Sequence, residues 1–123
     1  MPSSKVQDFK RRLYVFSLSL IKVLDGVKYE YVSKTLCNQL LRSGTSIIAN
    51  YVEGQSGSSK KDFINFLSIA LKSANESKLW LSLLKDTKRI SEEDYSNLIK
   101  ELTEISNIIA QSILTSKKNQ TTK

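Results

Sequence analysis

Residues 42–63, "RSGTSIIANYVEGQSGSSKKDF", set Gly54, Gly57, Ser58, Ser59, Lys60 and Lys61 between two apolar runs. Glycine amides beside lysines are the raw material of a phosphate cradle. A P-loop, however, needs G-x-x-x-x-G-K-[ST] after a strand, so that its amides can wrap the phosphates. Here the order is Gly54-x-x-Gly57-Ser58-Ser59-Lys60-Lys61, and helical sequence precedes it. Spacing and context both fail, and the stretch reads as a helix stop, a short hinge and a helix start. Lys60 and Lys61 still stand beside the free amides of a helix N-terminus, a place that favours anions.

Glu53 and Glu76 are the other pair with chemical potential. General acid and base work requires one of two carboxyls to be raised in pKa. Arg42 and the nearby lysines would instead keep both ionised. The chain has no histidine, which removes the usual general base, the usual zinc ligand and the Glu-x-x-His pairs of di-iron bundles. Cys37 is the single cysteine, so no disulfide framework exists, and it reads as a small core residue in a reducing compartment. No catalytic residue, metal or cofactor is expected, and the protein is read as a non-enzyme.

The elements that position these residues follow from periodicity. Val6, Phe9, Leu13, Phe16, Leu20 and Leu24 fall on one helical face, and Asp25-Gly26 ends that helix. A second helix is predicted from about Glu30 to Glu53, with Gly54 as its C-terminal cap. Ser59-x-x-Asp62 is a capping box ahead of Phe63, Leu67, Ala70, Ala74, Leu81 and Leu84, a third helix ending near Lys88. Ser91 followed by Glu92, Glu93 and Asp94 starts a fourth, through Tyr95, Leu98, Leu102, Ile105, Ile109 and Ile113.

Four amphipathic helices with short connections predict an all-α, antiparallel up-and-down four-helix bundle. It forms a single domain over residues 1–116, leaving 117–123 as a polar, basic, frayed tail. The longest uncharged runs are far short of the roughly 20 residues that span a bilayer. "KRRLYVFSLSLI" lacks the cleavage site of a signal peptide. The expectation is a cytoplasmic protein with no membrane partner.

The second and third helices carry small residues where large ones are usual: Ser43, Gly44, Ser46 and Ala49 on one, Ala70, Ser73, Ala74 and Ser77 on the other. With the turn near Ser56, antiparallel pairing sets Ser46 opposite Leu67 and Arg42 within ion-pair reach of Glu76. Asn50 and Glu53 then lie near the start of the third helix, placed to cap its amides. Arg42, Ser46, Asn50, Glu53 and Glu76 are thus read as a structural polar network.

The chain resembles the four helix bundle protein family, also called the 23S rRNA intervening-sequence protein family. Gln39, Leu40, Arg42, Ser43, Ser46, Ile47, Asn50, Glu53 and Gly54 carry the likeness, continued by Ser59, Lys60, Phe63, Phe66, Leu67, Ala70, Ser73 and Glu76. The resemblance implies an up-and-down bundle that assembles into a ring-like homopentamer without known enzymatic activity. More remotely, the chain is similar to the accessory variability determinant proteins of diversity-generating retroelements, basic pentamers that bind nucleic acid and a reverse transcriptase.

Independently of that likeness, Ile69, Ser73, Trp80 and Leu83 form a second stripe on the third helix, and a lone bundle would leave Trp80 exposed. Such a stripe marks an oligomer interface. The net charge of +7 concentrates on the first and third helices, which carry +4 each. Its candidate nucleic-acid-binding residues are Lys10, Arg11, Arg12, Lys60, Lys61, Lys72, Lys78, Lys85, Lys88 and Arg89. In an up-and-down bundle those helices are diagonal, so a ring would repeat two basic edges into a band that attracts polyanions. No RNP1, KH or zinc-finger signature is present to read bases. The expected function is a scaffold that binds RNA or DNA with little sequence specificity. The alternative is a protein-interaction module, such as an accessory subunit of a retroelement reverse transcriptase.

Overall fold

The structure is a computed structural model that describes residues 4–57 and 59–121. These form four helices: α1 (Ser4–Asp25), α2 (Tyr31–Gln55), α3 (Lys60–Asp86) and α4 (Glu92–Thr121). Each packs on its neighbours in chain order and α4 closes on α1, while α1 and α3 lie diagonal. The antiparallel arrangement is fixed by pairs that join opposite ends, such as Phe9 with Tyr51 and Lys85 with Tyr95.

The predicted apolar rows form one continuous core. Leu13, Phe16 and Leu20 of α1 meet Leu40, Ile47 and Tyr51 of α2. Leu67, Ala70, Ala74, Leu81 and Leu84 of α3 and Leu98, Leu102, Ile105 and Ile109 of α4 complete it. Cys37 packs half-buried against this core, and its burial pushes the thiol pKa up, away from the reactive range.

Both predicted helix starts hold. The Ser59 hydroxyl accepts from the Asp62 amide at 3.1 Å, and the Ser91 hydroxyl from the Asp94 amide at 3.0 Å. Each satisfies one of the orphan donors of a first turn.

The helix ends differ from expectation. Gly54 is not a left-handed cap: no described glycine has positive φ, and α2 continues to Gln55 with Ser56 as its cap. Gly54 serves close approach instead, since a Cβ there would lie 3.1 Å from Phe66 Cβ. The left-handed position falls at Lys88, with φ 60°. Around it the Arg89 amide donates to the Leu84 carbonyl and the Lys88 amide to that of Lys85, the two bonds of a Schellman motif. α3 therefore ends at Asp86, ahead of the predicted Lys88.

The predicted basic tail is also helical. α4 runs through Thr121, and Lys117 and Lys118 ride on its last turns, because Ile113 and Ser116 still bury a face there. The remainder of that tail, Thr122 and Lys123, lies outside the described residues.

Gly44, expected among the small residues of the α2–α3 contact, does lie near α3, where a Cβ would come 4.0 Å from Ser77 Oγ, but its tightest neighbour is on α1. A Cβ on it would sit 2.3 Å from the Leu20 Cδ2 atom. α2 is thus thinned on two sides, by serines toward α3 and by a glycine toward α1.

Candidate nucleic-acid interface

The α2–α3 seam is built from hydroxyls. The Ser77 hydroxyl donates to the Ser73 carbonyl, which leaves Ser43 to donate to Ser77 Oγ at 2.8 Å. One turn below, Ser73 donates to Ser46 Oγ at 2.9 Å. Asn50 Nδ2 donates to the carbonyl and hydroxyl of Ser46. The serines are small enough to bring the backbones close, and their hydroxyls find partners on their own helix or directly across the seam.

At the solvent edge of this seam, Arg42 pairs with Glu76 as predicted, and the same guanidinium holds Gln39 Oε1. The Trp80 indole N–H donates to Glu76 at 3.0 Å. That bond, followed by the Arg42 contact, holds the Glu76 carboxyl below its ordinary pKa in spite of partial desolvation. Glu76 is therefore an ionised structural acceptor, the wrong state for an acid catalyst at neutral pH.

Three parts of the predicted network are corrected. Ser46 meets Ser73 rather than Leu67, because the hairpin turns about Ser59, where α3 begins, and not about Ser56. Asn50 is consumed by Ser46 and does not cap α3, whose first turn is capped by its own Ser59. Glu53 points to solvent on the last turn of α2 and joins neither Glu76 nor the seam.

The predicted interface ridge also changes. Trp80 is half-buried against the core with its N–H bonded to Glu76, so the monomer already houses most of it. Ser73 is buried in the seam. Ile69 and Leu83 do stand outward, joined by Leu79 at 53% exposure. Sequence reading missed a larger stripe on α1, where Tyr14, Val15, Leu18 and Ile21 are all exposed. The signal was available: the uncharged run from Leu13 to Ile21 holds more apolar residues than one helical face can bury.

The ten candidate cations divide by environment. Lys10, Arg11, Lys60, Lys61, Lys72 and Lys88 are exposed. Arg12 is paired within the subunit: it forks onto Glu101 through two 2.7 Å bonds and reaches Glu104 at 2.8 Å. This fork holds Glu101 below the ordinary carboxylate pKa against partial desolvation, and it raises that of Arg12. Arg89 donates through Nε to Ser33 at 2.8 Å and approaches Glu30 at 3.6 Å, tying the start of α2 to the α3–α4 connection. Lys85 lies 4.5 Å from the centre of the Tyr95 ring and 3.4 Å from Asp86. Lys78 is half-buried. Arg12, Lys85 and Arg89 thus hold the bundle together, which sequence counting could not separate from surface charge.

A concavity of about 490 Å³ opens between the α1–α2 and α3–α4 connections and is lined by Lys22, Arg89, Asp94 and Asn97 among others. Among the described residues no cluster of His, Cys, Asp and Glu is arranged to hold a metal ion. No described helix is long and apolar enough to cross a membrane.

Comparison with known proteins places the chain. A crystal structure of a protein with unknown function from the S23 ribosomal protein family of Bacteroides thetaiotaomicron VPI-5482 superposes with a TM-score of 0.79. It is 37% identical, over 85% of this chain and 97% of that one. Comparison with curated proteins gives no match. Residues 8–111, from the first turns of α1 to the last third of α4, match the family described as 23S rRNA-intervening sequence protein. That span includes the whole serine seam and its Arg42–Glu76 edge, and the chain belongs to this 23S rRNA-intervening sequence protein family.

Proposed function

We propose that the protein is a non-enzymatic helical scaffold whose basic surface binds nucleic acid, RNA above DNA, with little sequence specificity. The carrying observation is a surplus of seven positive charges on a small bundle, with Lys10, Arg11, Lys60, Lys61 and Lys72 exposed on two diagonal helices. Exposed lysines without a base-reading motif neutralise phosphates and release counterions, which gives affinity without sequence readout. The family's description, which names an rRNA, favours RNA as the polyanion. Filter binding of a structured RNA and a DNA duplex across a salt series tests this. The expected result is association that weakens steeply with salt, and no association with either at low salt overturns it.

The scaffold is also proposed to work as a homo-oligomer, with a pentamer as the favoured state. The exposed apolar residues of α1, together with Ile69, Leu79 and Leu83 of α3, support this reading. The same surfaces support the second reading, a protein-interaction module that docks on a partner such as a reverse transcriptase. Native mass spectrometry separates the two: a pentamer of the pure protein supports self-assembly, and a monomer at micromolar concentration leaves the apolar faces to a different protein.

A further inference from the structure

We infer that the phosphate-binding surface is one end of the bundle, not a band along its flanks; this rests on the nucleic-acid reading above and gives it a location. Counted helix by helix, the positive charge belongs to α1 and α3. The antiparallel fold redistributes it. Residues 4–14, 43–57, 59–72 and 107–121 make up the half holding the α1 and α3 N-termini, and they carry nine basic and three acidic groups. Residues 15–42 and 73–106, the other half, carry nine basic and nine acidic groups.

Ion pairs also occupy several cations of the neutral half. Arg42 is held by Glu76, Arg89 by Glu30 and Lys85 by Asp86, all within the neutral half. Arg12, at the boundary, is turned away from the basic end by Glu101 and Glu104. Each end has two helix N-termini and two C-termini, so the macrodipoles cancel and side chains set the potential. The charged end therefore comprises Lys5, Lys10 and Arg11 of α1, Lys60 and Lys61 of α3, and Lys117 of α4, which the long fourth helix returns to the start of α3.

The ligand class follows from this layout. The cations are spread over three helices on an end face about 20 Å across, and the concavity of about 250 Å³ at this end reaches only Lys10 and Arg11 among them. A single phosphate would meet few of them. A duplex carries one charge per ~1.7 Å of axis with both strands counted, so roughly a dozen phosphates lie along such a span and about half of them face the surface. A nucleic-acid backbone is the occupant that uses the whole end.

The test compares charge reversals of equal size at the two ends. Fluorescence anisotropy with a labelled RNA hairpin at about 50 mM salt reads Lys60→Glu/Lys61→Glu against Lys78→Glu/Lys88→Glu, with circular dichroism confirming that each remains helical. The basic-end variant is expected to bind at least about tenfold more weakly, with a log K against log salt slope shallower by about 1 to 2. The neutral-end variant is expected within about twofold of wild type. Lys117→Gln, a change on α4 alone, is expected to weaken binding about twofold or more. Equal losses at both ends, or a larger loss at the neutral end, overturn this location while leaving nucleic-acid binding intact. No binding by the wild-type protein removes the parent reading and this one together.

Discussion

Gly44→Ala is the substitution whose outcome is most tightly constrained by the geometry. Alanine in place of glycine within a helix is favourable by about 1 kcal/mol. At this position, however, the new methyl would sit 2.3 Å from Leu20 Cδ2, where carbon atoms need about 3.5–4.0 Å. Leu20 is fully buried, so its side chain must move more than an ångström inside a filled core. Overpacking of this kind costs about 1–3 kcal/mol, which makes the single variant neutral to about 2 kcal/mol destabilised. The decisive measurement is a double-mutant cycle with Leu20→Ala, which alone should cost about 2–5 kcal/mol through its cavity. With Leu20 shortened the collision disappears, and Gly44→Ala should then stabilise the protein by about 1 kcal/mol. The coupling energy is expected at about 1–3 kcal/mol, with the double variant more stable than the sum of the singles. Urea unfolding followed by circular dichroism, at fixed protein concentration, reads all four corners. If the effects of the two substitutions simply add, Gly44 is not what lets α1 seat against α2, and the packing argument fails.

Two further outcomes follow from the helix ends and the charges. Lys88 occupies a left-handed conformation that costs a side chain about 1 kcal/mol or more, so Lys88→Gly should raise the unfolding free energy by about 1 kcal/mol; a loss of stability would show that the lysine side chain is needed. For pH, the Arg12 fork lowers the folded-state pKa of Glu101, so its stabilisation is full above the unfolded value of about 4.3 and is lost as pH falls through the folded value. With no histidine, stability should be flat from about pH 5.5 to 8 and decline below about pH 4.5. Glu101→Gln should cost about 1 kcal/mol at pH 7 and progressively less on acidification, and a pH-independent cost would contradict the ion-pair account.

The sequence by itself determined the four helices and their order. Apolar spacing of three and four, together with Ser59 and Ser91 as hydroxyl caps, depends only on residues a few positions apart. Local physics therefore suffices for them. The Arg42–Glu76 pair was legible for a similar reason: once two helices are joined by a short hairpin, their register has little freedom. That freedom was still enough to misplace Ser46 by six residues, since the crossing point depends on where α3 begins. Gly44 and Gly54 were visible as small residues, but which neighbour each one admits is a property of the packed bundle.

Charge shows the division most clearly. Composition established the surplus, and counting by segment assigned it to the first and third helices. Only the fold decided that Arg12, Lys85 and Arg89 are bound within the subunit. The fold also brings Lys117 and Lys118, distant in sequence, to the end occupied by Lys60 and Lys61. An electrostatic potential sums over separation in space, and antiparallel helices make residues at opposite ends of the chain neighbours.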